Sequence, residues 1–424
     1  MNGPDILTDL AARGLVHDST DPEALRQRLA EGPITVYAGF DPTADSLHVG
    51  NLVPLLLLRR FQEAGHRPVA LAGGATGMIG DPGGRSTERN LLDAVTLDAN
   101  LAAIVPQLEM LLDFTPGPTC ALLVDNRRWT EPIGVLEFLR DVGKHVTVNA
   151  MLAKESVRSR VESESGISYT EFSYMLLQAN DYRHLHAAHG VELQVGGSDQ
   201  WGNITAGIDL IRRTDGAHVH GLTVPLVTRA DGQKFGKSVD GAVWLSPERT
   251  TPYAFYQYFV NVDDRDVERF LLQLTLLDLD EIAAVMASHL GDPGARTAQR
   301  RLALEVTTLV HGESVASRAA SASTGFTRTV DDLDQSDWQE LAASLPVVEI
   351  DEADLGTELV VVLAAAGAIG SRSEGRRLVT QGGLTLNDET VVEGRTLAAS
   401  DFRGEGWAMV RRGKKHRFVL RRRP

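Results

Sequence analysis

Ile34-Thr35-Val36-Tyr37-Ala38-Gly39-Phe40-Asp41-Pro42-Thr43-Ala44-Asp45-Ser46-Leu47-His48-Val49-Gly50-Asn51 starts as an apolar extended segment, crosses a turn-rich loop and enters an apolar helical pattern near His48. A strand that feeds a helix in this way leaves free backbone N–H groups at the helix start, where phosphate is readily held. Far downstream, Lys234-Phe235-Gly236-Lys237-Ser238 places two lysines on one glycine-containing loop. Lysine is a mobile point charge for phosphate, and Gly236 lets the backbone come close to a ligand. Taken singly, His-x-Gly-Asn is an ordinary cap and tight turn, and Lys-x-x-Lys-Ser an ordinary solvated loop. In this order and in one chain, they read as two halves of a nucleotide site.

Outward from that stretch, short apolar segments alternate with longer helical patterns up to about Val227. The segments are Ile34 to Tyr37, Pro68 to Leu71, Ala121 to Val124, Val191 to Val195 and Leu222 to Val227. The alternation predicts an α/β fold with a parallel sheet covered on both faces. The Gly-rich run Ala72 to Gly84 follows a strand, so it falls where such sheets bind ligands. Beyond Ser246 the pattern is helical to about Thr324. The acidic stretch Val330 to Asp337 reads as the start of a linker, and Gly383 to Val391 as a hairpin about Asn387-Asp388. The expected domains are 1–246, 247–325 (helical), a linker at 326–354, and a small α+β module at 355–424.

The chain has 424 residues and is 43% hydrophobic, enough for two or three domains. No apolar run approaches the roughly 20 residues that span a bilayer, and a basic, apolar leader is missing, which gives a cytosolic expectation without membrane association. The single cysteine, Cys120, excludes an intrachain disulfide and a Cys-cluster metal site. A net charge of −15 speaks against nonspecific coating of nucleic acid, yet residues 372–424 carry 13 Lys and Arg against 6 Asp and Glu. That end suits a polyanion. Alternation in Trp407 to Val410 and Phe418 to Leu420 suggests a strand pair within it.

The chain resembles the class I aminoacyl-tRNA synthetases, with His48 to Asn51 as the HIGH signature and Lys234 to Ser238 as KMSKS. The flanking Tyr37 to Leu47 is similar to the bacterial tyrosyl-tRNA synthetases. The resemblance implies a Rossmann-like catalytic domain, then an α-helical anticodon-side domain, then a C-terminal RNA-binding domain. It also implies a homodimer, and as substrates L-tyrosine, ATP with Mg²⁺, and a tRNA, with no tightly bound cofactor and no protein-held metal. His48, Asn51, Lys234 and Lys237 carry the catalytic roles in this reading. Asp41, Thr43, Gly50, Gly197, Asp199 and Ser238 join them at ATP.

Tyr174, Gln178 and Asp181 fall at i, i+4 and i+7, one face of a helix. Alone they could be the wet side of an amphipathic helix. The resemblance makes them a tyrosine pocket: Tyr174 and Gln178 at the α-amino group with Asp81, Asp181 at the phenol with Tyr37, from the edge of the first strand. Gln194 and Gln200 flank Gly196-Gly197-Ser198-Asp199 and reach the substrate carboxylate and ribose. For tRNA, the run Ser371 to Val379 is the RNA-facing turn, with Arg372, Arg376 and Arg377; Arg411, Arg412, Lys414 and Lys415 lie nearer the end. Two departures from the strictest signatures stand out: Asn51 replaces a histidine, and Phe235-Gly236 replaces Met-Ser. The alternatives are the sister enzyme for tryptophan, a noncatalytic RNA-binding descendant, and a small-molecule nucleotidyltransferase.

Overall fold

The computed structural model describes residues 5–82, 92–162, 166–230, 232, 235–238, 241–325, 329–413 and 416–423. They form two compact units, one comprising 1–246 and 263–298, the other 247–262 and 299–424.

The first unit is built on a sheet with strand order β1-β6-β5-β2-β3-β4. The strands are β1 (Asp18–Ser19), β2 (Thr35–Phe40), β3 (Arg67–Ala72), β4 (Leu122–Asp125), β5 (Val191–Gly197) and β6 (His220–Val224). All five expected apolar segments are strands, mutually parallel. The last stops at Val224, because Pro225 has no N–H to give a ladder. Antiparallel β1 at the edge has no apolar signal and was not expected. From β2 the chain winds to β3 and β4 on one side, then returns through β5 and β6 on the other. Direction therefore reverses between β2 and β5, and the crevice beyond their carboxyl ends is the ligand position of such sheets. Tyr37 lies inside a central strand, not at a strand edge, and pairs in register with both Val69 and Gln194.

The Tyr169–His189 helix starts at Ser168, whose side chain accepts from the Glu171 N–H, and stops at Gly190, which takes the left-handed conformation with φ 63°. It packs on the Trp201–Thr214 helix closely enough that a Cβ on Gly207 would meet Tyr182 Cδ1 at 3.0 Å. A two-stranded hairpin, β7 (Lys237–Ser238) and β8 (Gly241–Ala242), also belongs to this unit.

Two helices expected in a separate helical domain, Asp264–Leu274 and Leu279–Gly291, belong to the sheet unit instead. Phe270 meets Phe235 with ring centroids 4.7 Å apart, and Asp266 Oδ2 accepts from the Ala230 N–H at 2.8 Å. Buried Arg60 donates to the carbonyls of Leu272, at 3.2 Å, and Thr275. These contacts are long-range, and a helical periodicity carries no trace of them.

The second unit carries β9 (Val347–Ile350), β10 (Leu384–Leu386), β11 (Glu389–Thr390), β12 (Trp407–Arg412) and β13 (His416–Arg422), in the order β11-β10-β12-β13-β9. Asn387 and Asp388 have φ of 47° and 67°, the two positive values that a tight type I′ hairpin requires. The expected strand pair is present, with Val410 opposite Phe418. Two expectations are corrected. The described part of the supposed linker holds the helix Gln335–Ser344, capped by Asp334, and β9, which pairs in parallel with β13; of the acidic residues, Asp334 and Asp337 form the helix cap and Asp331 accepts from Arg403. The supposed turn is the helix Arg372–Thr380, started by Ser371 accepting from the Glu374 N–H, a Ser-x-x-Glu start that the sequence already held.

Candidate active site

His48 caps the first helical turn after β2. Its Nδ1 accepts from the Gly50 N–H at 3.1 Å, and its own N–H donates to Asn51 Oδ1 at 3.0 Å. An accepting Nδ1 leaves the ring proton on Nε2, so a neutral His48 points a donor outward. Protein packed around the ring lowers its pKa and favours that neutral form, although the residue keeps an exposed edge. Asn51 uses its oxygen within the cap, which leaves its amide N–H₂ as the donor. A Cβ on Gly50 would sit 2.9 Å from His48 Cε1, so glycine there is a steric requirement of the imidazole position.

The two signature stretches meet. The Val49 N–H donates to the Val243 carbonyl at 3.0 Å, Leu245 N–H to Leu47 at 2.8 Å, and Val243 N–H to Gly236 at 2.9 Å. Gly236 has φ 83° and lies so near the first loop that a Cβ would meet Val49 Cγ2 at 2.8 Å. Lys234 lies outside the described residues; of Lys237 and Ser238 only the backbone is described, as β7.

A chain of hydrogen bonds lines the crevice. Tyr174 Oη donates to Asp41 Oδ2 at 2.8 Å, and Thr76 Oγ1 to Asp41 Oδ1 at 2.7 Å. Asn126 Nδ2 donates to Thr76 Oγ1 at 3.0 Å and to Asp181 Oδ2 at 2.9 Å; Trp129 Nε1 donates to Asp181 Oδ1 at 2.8 Å. A second cluster joins Asp81, Gln178, Gln200 and Asn203. Gln200 Nε2 donates to Asp81 Oδ2 at 2.6 Å, Gln178 Nε2 to Gln200 Oε1 at 3.2 Å, and Asn203 Nδ2 to Gln178 Oε1 at 3.0 Å. Thr43 stands on the loop after β2, Gly197 is the last residue of β5, and Asp199 lies in the 3-10 turn Ser198–Gln200 that follows it.

Burial pushes the Asp181 carboxyl up to about 7, against the pull of its Asn126 and Trp129 donors. Burial raises the Tyr37 and Tyr174 hydroxyls well above the ordinary phenol value, with the nearby Asp181 and Asp41 carboxylates adding to the respective shifts. Two polar atoms here are buried without a partner among the described residues: Tyr37 Oη and Gln194 Oε1. Being register partners on adjacent parallel strands, they face the same way. Such orphans are costly unless a ligand satisfies them.

Sequence reasoning missed Thr76, Asn126, Trp129 and Asn203. Thr76 lies in the Gly-rich run, and Gly73 is confined there: a Cβ on it would fall 2.0 Å from Asp41 Oδ1. The close approach made by that run is to protein carboxylates, since Gly74 likewise abuts Asp125. Asn126 directly follows β4, at a carboxyl end, and that position was the readable signal.

In the second unit, Arg372, Arg376, Arg377 and Arg411 are exposed. Arg412 Nη1 lies 3.6 Å from Glu374 Oε1, which brings the end of β12 to the basic helix. Lys414 and Lys415 lie outside the described residues.

Residues 29–327 match the family model for class I tRNA synthetases (W and Y), and residues 337–420 match a tyrosine–tRNA ligase SYY-like C-terminal domain. A tyrosine–tRNA ligase of Opitutus terrae is 53% identical over 421 residues, 98% of this chain and 99% of that protein. One of Roseiflexus castenholzii is 48% identical over 98% and 99% of the two chains. The solved structure of a C-terminally truncated mitochondrial tyrosyl-tRNA synthetase of Aspergillus nidulans is 32% identical, with a TM-score of 0.71 over 76% of this chain and 94% of that one. With the paired signature loops and both domains matched in order, the chain belongs to the class I tRNA synthetases, in the tyrosine–tRNA ligase branch of the W and Y group.

Proposed function

We propose that the chain is a tyrosine–tRNA ligase, joining L-tyrosine to ATP as tyrosyl-adenylate and then passing the tyrosyl group to the 3′ end of a tRNA. The observation that carries this reading is the phenol end of the pocket: buried Asp181 beside the unpartnered Tyr37 hydroxyl. A phenol O–H can donate to Asp181 and accept from Tyr37. Phenylalanine would leave the Tyr37 hydroxyl unpaired and set an apolar ring edge against the Asp181 carboxyl, and tryptophan presents no hydroxyl there.

In the first step a tyrosine carboxylate oxygen bonds to the α-phosphorus while the bond to the β-phosphate breaks and pyrophosphate leaves. The nucleophile already carries charge, so the protein aligns it and stabilises the phosphoryl oxygens. Asp81, Tyr174 and Gln178 hold the ammonium, with Gln200 giving up its bond to Asp81 as the substrate arrives. Gln194 meets the substrate from β5. His48 Nε2–H, the Asn51 amide and the helix start donate to phosphate oxygens, while Asp41, Thr43, Gly50, Gly197, Asp199 and Ser238 shape the ATP side. Lys234 and Lys237 neutralise the departing pyrophosphate, with Mg²⁺ arriving on the triphosphate as part of the substrate. A terminal ribose hydroxyl of tRNA then displaces AMP.

Arg372, Arg376, Arg377, Arg411, Arg412, Lys414 and Lys415 serve as the tRNA contact surface, and the reaction belongs in the cytoplasm. Exposed Val135, Leu136, Val148 and Tyr169, at 75%, 83%, 58% and 73%, support a homodimer that covers these side chains. Leu136→Glu should then sediment as a monomer.

ATP–pyrophosphate exchange with tyrosine, phenylalanine and tryptophan in turn tests the reading. Tyrosine alone should support exchange; exchange with tryptophan, or with none of the three, overturns it. Lys237→Ala should slow exchange at least about tenfold while leaving tyrosine affinity nearly unchanged.

A further inference from the structure

Trp129 joins the phenol end of the pocket to a residue outside it. Its Nε1–H donates to Asp181 at 2.8 Å, and its ring lies against the His184 imidazole with centroids 4.3 Å apart and planes 13° apart. Asp181 and His184 are three apart on the Tyr169–His189 helix and so adjoin on its surface. One indole thus spans two successive positions of the helix that carries the pocket. It is supplied by the four-residue helix Arg127–Thr130, which has no side-chain cap, and it is only partly buried against the cluster containing Tyr37, Tyr182 and Leu185. A hydrogen bond at Nε1 fixes one edge of the ring and leaves it free to swing about that edge. A flat surface along its face removes the swing, and half-buried His184 provides one.

We infer that His184 is a positioning residue for tyrosine selection: stacked on Trp129, it holds the indole N–H on Asp181 and thereby sets the carboxylate that meets the phenol. The inference rests on the ligase reading. Stacking of this kind acts on the amino-acid pocket, since the indole it holds donates to Asp181.

The test is ATP–pyrophosphate exchange by full-length wild type, His184→Ala and His184→Phe, with thermal melting of each. His184→Ala should raise KM for tyrosine about threefold to tenfold, the range of one aromatic pair, and narrow the preference for tyrosine over phenylalanine. KM for ATP should stay within about twofold. His184→Phe keeps a flat ring and should restore both tyrosine KM and the preference. An unchanged tyrosine KM in His184→Ala overturns the inference, as do equal rises for tyrosine and ATP or failure of phenylalanine at 184 to rescue. Absence of tyrosine-dependent exchange in wild type would overturn the ligase reading, and this inference with it.

Discussion

Asp181 is a carboxyl buried at the phenol end of the pocket, 2% exposed. Its carboxyl keeps a proton up to about pH 7 when folded, against 3.8 for the free group. Between those values the folded chain binds more protons than the unfolded one. The contribution of Asp181 to stability is therefore complete below 3.8 and is lost as pH rises through 7. The stability of the wild type relative to Asp181→Asn should fall between about pH 4 and pH 7 in paired melts and level off above that; a constant gap would mean that Asp181 is ionised throughout. Ligand binding runs the other way. A phenol O–H donates best to the ionised carboxylate, so tyrosine affinity should rise through about pH 7, measurable by calorimetry. At the ATP side, Gly50→Ala drives a methyl into the His48 ring, and exchange should slow about tenfold or more with tyrosine affinity preserved. Loss of both together would show that the loop, rather than the imidazole, had been disturbed.

Pairs of elements decide what the sequence could and could not reveal. The helix with Tyr174, Gln178 and Asp181 was legible because the spacing that puts them on one face is local. The type I′ turn at Asn387-Asp388 was legible for the same reason. Helix 264–274 groups with the sheet unit because its partners, Ala230, Phe235 and Arg60, are distant in sequence, and helix 279–291 packs beside it, with His289 Nε2 3.4 Å from Asp264 Oδ1. Asn126 and Trp129 escaped notice because an asparagine and a tryptophan after a strand acquire meaning only when Asp181 is brought to them. Helix packing gives its own test. Gly207→Val would press against Tyr182 from inside a well-packed contact, costing about 1–3 kcal/mol of stability by denaturant unfolding.

For the whole molecule, charge is divided between tasks. An acidic chain that ends in a basic module should hold tRNA with strong salt dependence while adenylate formation stays insensitive. Arg372, Arg376 and Arg377 replaced together by Glu should reduce tRNA charging about tenfold or more, with exchange unchanged. Equal losses in both assays would place those residues outside RNA contact. The backbone bonds that tie Leu47 and Val49 to Leu245 and Val243 have another consequence, for the order in which the chain matures. Almost two hundred residues separate the bonded partners, and closing so long a loop comes at an entropic cost that nearer contacts must first offset. During synthesis the first signature leaves the ribosome long before Val243 and Leu245 exist. If the two loops hold ATP together, as proposed above, the nascent chain gains nucleotide capture only once residues beyond 245 have emerged.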